Sequence, residues 1–578
     1  VTLGVADIAK DRSGLEVVAS GDRRDLEQAL KAQRPDLVLR RAGRRLVVPW
    51  KGAASLEPET FSGLEWTPDA IRAVANRRRV RSAASEVRAE VDRIRAHGIE
   101  AARTVIADSS VAQTLDDHQA LNVAVMTVAG GWGACVFDEQ GTGKTVTTIG
   151  AFDVLVERNE ADVLVIAAPK SMVGEWAAEF RRFTGDLYRV AVADGSRRER
   201  AAAIQSGADV VVLNYESVVA LLPDLVLLAK RCRVALVVDE SFNVKNPDAK
   251  RTAALAEFRE WCTRCFVLCG TPAPNAPRDL VSQFDLVDFG LTFEDVRIVD
   301  RPEDDVPAIR AAIDERGIYT RNLKDEVLPD LPERQFTEIR LDLAPEQRRL
   351  YLAALDNLIH DVEAVSDAVF ISQISSFLER RNALLRICSF PLPLDPDYDE
   401  TPAKFRALDE LLPSYVGTGE KVVLWSFYRA TLDALETRYA PLGLVRIDGS
   451  VSEVATRREY VRSFQEDEGT RIFLGNPAAA GAGITLHSAR IAIYESFSNQ
   501  AAHFMQSLDR IHRRGQERDV NYVVLLCQGT IEETEYDRLL HKADRQADIL
   551  GDPAPERPTR SMLLAELLGA RSRVGARS

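Results

Sequence analysis

The 578-residue chain has no regular cysteine framework: its seven cysteines follow no spacing that would build a disulfide scaffold. That argues for a reducing compartment. No apolar run approaches the roughly 20 residues of a membrane span, and the N-terminus, which begins with valine, lacks a signal-peptide pattern. A cytoplasmic protein with no membrane partner is expected. A net positive charge is missing too, since 74 Lys and Arg face 88 Asp and Glu, a net of −14. This does not exclude a nucleic-acid binder, because phosphate contact depends on local fields rather than the total. The distribution is uneven. Residues 1–105 hold 20 basic against 15 acidic side chains, a net of +5, which leaves −19 for the rest.

What is present is the composition of an ordinary globular protein, 46% hydrophobic and 28% charged. At this length one core does not suffice, and roughly three to four domains are expected. Abundant Arg and Ala point to a GC-rich genome, bacterial or phage, and hence to a nucleoid-associated setting.

Residues 1–105 alternate short β-like runs with helical ones and form an accessory α+β domain, partly basic. Its densest stretch, "NRRRVRSAASEVRAEVDRIRAHG", reads as helix, and Arg77, Arg78, Arg79 and Arg81 are candidate phosphate contacts. A solvated helix face is the alternative. From 106 to 285 apolar strands alternate with helices ("GACVF", "DVLVIAAP", "ADVVVLNY", "VALVVD", "CFVLCGTP"), as parallel strands buried on both faces do. Residues 286–410 lose the strands and become helical and charged. The βα rhythm resumes over 411–545 ("KVVLWSF", "TRIFLGNP", "IAIYES", "VNYVVLLC"), and 546–578 reads as a tail with one short helix, prone to fraying. The fold class is therefore α/β, with two parallel-sheet lobes, a helical middle and a small N-terminal domain. Functional residues are expected beyond the strand C-termini.

One such strand end is "GACVFDEQGTGKTVTTIG". Gly141 and Gly143 let successive backbone N–H groups curl around an anion, the following helix adds its N-terminal partial charge, and Lys144 supplies a full one. Thr145 would place a hydroxyl on a magnesium ion bridging the outer phosphates. The general spelling has glycine where Asp138 stands. Without ligand, Lys144 is expected to face solvent.

A second strand end, "VALVVDESFNVKN", closes on Asp239 and Glu240. Adjacent carboxylates at the mouth of a sheet need a cation or a reaction to justify them. Beside a phosphate loop, Asp239 would hold magnesium and Glu240 would orient and deprotonate the attacking water. In "QSLDRIHRRGQ", Arg510 and Arg513 lie three apart and would share a helix face. From a second lobe they could stabilise charge on a γ-phosphate, although the segment alone is an ordinary basic helix.

In order, "DEQGTGKT", "DESF", "LCGTPAPN" and "QSLDRIHRRGQ" resemble motifs I, II, III and VI of superfamily-two helicase-like ATPases, specifically the Swi/Snf-type DNA translocases. "LDDHQALNV" is similar to the adenine-reading glutamine motif and points to Gln119. "APKSMVGEWAAEF" resembles motif Ia, "RNLKDEVLPDLPERQ" the link between lobes, and "AAAGAGITLHSA" motif V. The resemblance covers about 110–540 and implies two tandem RecA-like lobes, ATP and Mg2+ as cofactors, and double-stranded DNA gripped through its phosphates. Carried over by position, it implies nucleotide contacts at Gln119, Asp138, Gly141, Thr142, Gly143, Lys144, Thr145 and Gln506. Metal contacts fall at Thr145 and Asp239, and catalytic roles at Lys144, Glu240, Arg510 and Arg513. The aspartate at Asp138 is the usual residue of this branch.

Two departures stand out. Phe242 replaces the histidine usual in motif II, so nucleotide state and nucleic-acid contact would be coupled through other residues. Motif V has Ala480 and Thr485 where glycine and asparagine are common, a spelling closer to the HARP-like annealing helicases than to nucleosome remodellers. Cys262, Cys265 and Cys269 resemble half a zinc site, but no second pair lies at a suitable spacing. The expected function is a DNA-stimulated ATPase translocating on duplex. The alternatives are a strand-separating helicase, or a nucleotide-gated scaffold that docks protein partners through residues 1–105.

Overall fold

The computed structural model describes residues 3–9, 14–56, 58, 63–270, 272, 277–299, 302–451, 453–480, 484–497, 501–547 and 560–575. The chain forms two compact units, the first spanning Val1–Ala273 and Pro277–Leu323, the second running from Lys324 to Ser578.

The first unit holds two sheets. Its N-terminal five-stranded sheet is antiparallel except where Leu64–Trp66 pairs parallel with Gly4–Ile8. Leu15, Val17, Leu26, Leu30, Leu46 and Val48 fill its core. The basic stretch is indeed helical, as part of the 30-residue helix Pro68–His97, capped by the Thr67 side chain and started by a proline. Ala70, Ala73, Val74, Val80, Val87, Val91 and Ile94 recur at helical spacing and are buried, so one face of that helix is committed to packing.

The second sheet of this unit has seven parallel strands, with Gly133–Val136, Arg264–Leu268, Val234–Asp239, Val163–Ala168 and Val210–Asn214 in that lateral order. Every residue of the first four is buried, which is why each reads as an unbroken apolar run. The second unit carries a six-stranded parallel sheet, with Trp425, Phe473, Tyr494 and Tyr522 among its buried residues. The α/β class and the two parallel-sheet lobes stand as expected.

Three boundaries differ from expectation. Residues 286–410 do contain strands: Tyr319–Thr320 joins the edge of the first lobe's sheet, and Arg334–Leu341 pairs parallel with Val520–Cys527 at the edge of the second. Residues 1–105 fall in the same compact unit as the lobe that follows them. The C-terminal helix Arg560–Gly575 is docked, with Leu563, Leu567, Ala570 and Val574 packed against Leu355, Leu358 and Leu384. Arg381 pairs there with Glu566 at 2.6 Å. Among the described residues no helix is long and apolar enough to cross a membrane.

Candidate nucleotide site and motif geometry

Strand Gly133–Val136 delivers the chain into a loop that ends at the N-terminus of helix Lys144–Glu157. Gly141 and Gly143 both adopt left-handed backbone, φ 87° and 97°. Gly143 is required twice over, since a Cβ there would stand 2.3 Å from Gln119 Nε2. Thr145 is half-buried on the first helical turn.

Lys144 does not face solvent. It is half-buried, and its ammonium donates to the carbonyls of Asp138 (2.8 Å) and Glu139 (3.1 Å). Burial pulls its pKa below the usual lysine value, against the opposing pull of Glu240, Asp138 and Asp239.

Three residues expected to contact nucleotide are engaged in bonds that hold the loop in shape. Asp138 is 1% exposed, and its carboxylate accepts from Asn122 Nδ2, Thr320 Oγ1 and both the backbone N–H and the side-chain amide of Asn322. An aspartate in the glycine position is thus a buried hub between the loop, the helix Asp117–Met126 and the strand Tyr319–Thr320. Gln119 accepts from the Asp116 N–H at 3.1 Å and donates to the Thr142 carbonyl at 3.0 Å. His118 also bonds that carbonyl, at 2.8 Å, while the Thr142 hydroxyl donates to the Glu139 carbonyl. Gln119 and Thr142 are 5% and 2% exposed, which leaves them little surface to offer a ligand.

Asp239 ends its strand and Glu240 follows, 8% and 7% exposed. Trp176 Nε1 donates to Asp239 Oδ2 at 2.8 Å, the Glu240 N–H donates to Asp239 Oδ1 at 2.9 Å, and the Tyr215 hydroxyl bonds the Asp239 carbonyl. Burial, and then the neighbouring Glu240, push the Asp239 carboxyl up to about 7, against the Trp176 bond and Lys144. An acid held in that state is one that a divalent cation would return to its ionised form. Together Thr145 and Asp239 fit Mg2+ in chemistry, and the glycine loop with Lys144 fits the phosphates of ATP.

Glu240 has left-handed backbone, φ 50° and ψ 56°, which is strained for a residue with a side chain. Its carbonyl accepts from Asn243 N at 3.1 Å and Asn243 Nδ2 at 2.9 Å, and its Oε1 accepts from Gln140 Nε2 at 2.9 Å. The next residue, Ser241, donates to Gln283 Oε1, and Gln283 Nε2 donates to the carbonyls of Pro272 and Asp279 at 2.6 and 2.7 Å. Phe242 is half-buried. The polar link from the motif II turn to the end of motif III therefore passes through Ser241 and Gln283.

In the second unit the helix Ala501–Leu508 carries Gln506 and stops before both arginines, which sit in the following turn. The shared helix face expected of them is thus not there. Arg510 is 5% exposed, donating to the carbonyls of Gln506 (2.8 Å) and Ile484 (3.1 Å). Arg513 donates to the Thr485 hydroxyl at 2.6 Å, so the unusual threonine of motif V anchors motif VI. The buried Lys324 pairs with Asp509, next to Arg510.

Two of the four candidate phosphate contacts of the basic helix have partners within the first unit. Arg77 pairs with Glu260 at 2.8 Å and lies 3.7 Å over the Trp50 ring, and Arg81 pairs with Glu294. Both arginines are used against the lobe on which the helix packs. Cys262, Cys265 and Cys269 are buried thiols, Cys265 pushed up to about 11 by burial.

Sequence reasoning missed Gln140, Trp176, Gln283 and Asn322. All but Gln283 lie inside quoted motifs, yet no spacing rule marks any of the four.

A parallel sheet with a glycine loop entering a helix, and an Asp–Glu pair at the end of the strand two places along, defines a nucleotide-binding protein of the P-loop class. The SNF2-related domain model matches residues 116–391 and the helicase conserved C-terminal domain model residues 403–515. The chain belongs to the SNF2-related, Swi/Snf-type family of helicase-like ATPases. It is 25% identical over 408 residues to an uncharacterized ATP-dependent helicase of Mycoplasma pneumoniae, a match covering 70% of this chain and 38% of that protein. Identity is 28% over 462 residues to the human SWI/SNF-related matrix-associated actin-dependent regulator of chromatin subfamily A member 1, with 73% and 42% covered. The chain thus spans well under half the length of these two relatives. Among solved structures, the Sulfolobus solfataricus SWI2/SNF2 ATPase core in complex with dsDNA is 23% identical and covers 80% of this chain and 98% of that one, at a TM-score of 0.37.

Proposed function

We propose that the protein is a DNA-stimulated ATPase that translocates on duplex DNA. The observation that carries the ATPase half is the meeting of motifs I and II. The phosphate loop places Gln140 on Glu240 at 2.9 Å, while Trp176 holds Asp239 at 2.8 Å. In this reading Gly141, Gly143 and Lys144 hold the phosphates, and Thr145 and Asp239 hold Mg2+, which stabilises charge on the outer phosphates. Glu240 accepts the proton of the attacking water. Lys144 exchanges its loop carbonyls for phosphate oxygens when nucleotide enters. Gln119, with its amide nitrogen engaged on the loop and its amide oxygen on the Asp116 N–H, acts on the nucleotide through Thr142 and Gly143. Arg510 and Arg513 act on developing phosphoryl charge, Gln506 orients Arg510, and the Ser241–Gln283 bond takes over coupling in place of the missing motif II histidine.

Support for duplex DNA as partner comes from the family and its ordered motifs. Phosphate-backbone contacts are independent of sequence and weaken steeply with salt. Steady-state ATPase rates with no nucleic acid, with duplex and with single strands test the reading. Stimulation by duplex is expected. Equal stimulation by single strands would favour a strand-separating helicase. No stimulation by either would sink the motor and leave a nucleotide-gated scaffold.

A further inference from the structure

We infer that Gln140 is a positioning residue for the Glu240 carboxylate, an assignment that rests on the ATPase reading above. Gln140 Nε2 donates to Glu240 Oε1 at 2.9 Å. The Gln140 side chain lies across Gly270 of motif III, where a Cβ would stand 2.8 Å from Gln140 Cγ and 3.0 Å from Nε2. That glycine is therefore a seat for the glutamine. At its other end, Glu240 is held by the two bonds from Asn243 to its carbonyl. The motif I glutamine thus bonds the carboxylate while resting on motif III, and motif II fixes the backbone from which that carboxylate projects.

A general base is effective only if the oxygen that takes the proton points at the attacking water, and misplacement by about 1 Å can lower a rate about 100-fold. Glu240 needs such a hold, because its own backbone is strained. A neutral amide supplies direction without neutralising the charge that the base requires. The Gln140 side chain bonds Glu240, whereas the cradle is formed by loop backbone and Lys144, so replacing that side chain should spare the phosphate cradle.

The test combines Q140L, G270A and the double variant in the full chain, with ATP affinity, single-turnover hydrolysis and thermal melting measured for each. Q140L should slow hydrolysis about 10- to 100-fold while ATP affinity stays within about threefold of the parent. G270A should do the same by unseating Gln140, and the double variant should be no slower than the slower single, since both remove one contact. A Q140L rate within about twofold of the parent, a parallel loss of ATP affinity, or additive effects in the double variant would each overturn the assignment. An inactive parent protein would instead overturn the ATPase reading on which it rests.

Discussion

Asn322 donates both its backbone N–H and its side-chain amide to one oxygen of Asp138, at 3.1 and 3.0 Å. The first residue of the phosphate loop is thereby fastened to the segment just before Lys324, where the chain passes into its second unit. Asp138→Gly, which restores the general phosphate-loop spelling, strips the acceptor from these donors and from Asn122 and Thr320. Buried donors left unpartnered cost about 1–3 kcal/mol each, relieved in part by rearrangement. A loss of about 2–4 kcal/mol of stability is expected, with ATP affinity within about threefold. Urea unfolding and nucleotide titration check this. Weak ATP binding at parental stability would put Asp138 back among the ligand contacts.

Lys144→Ala should lower turnover at least about 100-fold, because the charge that meets the outer phosphates is gone. The two bonds to the Asp138 and Glu139 carbonyls disappear with it. A loss of about 1 kcal/mol of stability is therefore expected as well, which a solvent-facing lysine would not give. Glu240→Gln should separate from it cleanly. ATP and Mg2+ binding should persist while hydrolysis falls by about 10²-fold or more. Loss of ATP binding in that variant would show the division of roles between Asp239 and Glu240 to be wrong.

The basic helix now predicts a stability effect where the sequence alone predicted a salt effect. Glu260 and Arg77 side chains are 6% and 12% exposed. Arg77→Ala removes the cation paired with a buried carboxylate, which keeps the Asn76 amide at 2.9 Å, and removes the stack on Trp50, a change worth about 3 kcal/mol. The salt dependence of DNA binding should keep its slope, whereas a lost phosphate contact would flatten it by about 0.9. A flatter slope with unchanged melting would return Arg77 to the DNA surface.

The parts of the fold that were legible are those in which burial is complete on both faces. "VLVIAA" and "VALVVD" have no exposed residue, so they advertise themselves as strands. "RQFTEIRL" could not, since it is an edge strand whose residues are mostly exposed or half-exposed, with Phe336 stacked on Tyr522. The two-residue strand Tyr319–Thr320 is too short to carry any pattern. In the site, glycines and carboxylates were readable because phosphate and metal chemistry restricts residue type. Gln140, Gln283 and Asn322 were not, because their partners lie 100, 42 and 184 positions away, and many polar residues could be drawn at such positions. The same reason applies at Asp138, where the family pattern marks the position but does not say which way the carboxylate turns.

The turn after helix Ala501–Leu508 divides its two arginines by environment, and that divides their predictions. Arg510 is buried and braces the Gln506 and Ile484 carbonyls. Arg510→Ala should therefore lose stability as well as turnover, and its kinetic effect is not separable from folding. Arg513 is half-buried and donates to the Thr485 hydroxyl at 2.6 Å. A guanidinium that acts in the transition state lowers the rate far more than it weakens ground-state binding. Arg513→Ala should leave ATP affinity within about tenfold and cut duplex-stimulated turnover at least about 100-fold, with melting close to the parent. Lysine should not restore the rate, because its point charge lacks the planar fork. Thr485→Val supplies the control. If Thr485 only aims Arg513, its loss should give a smaller effect of the same kind, about 3- to 10-fold, and add nothing in the Arg513→Ala background. ATP affinity, turnover with saturating duplex and melting, measured for the four proteins, decide it. Near-parental turnover in Arg513→Ala would remove this arginine from the reaction and leave motif VI a structural turn.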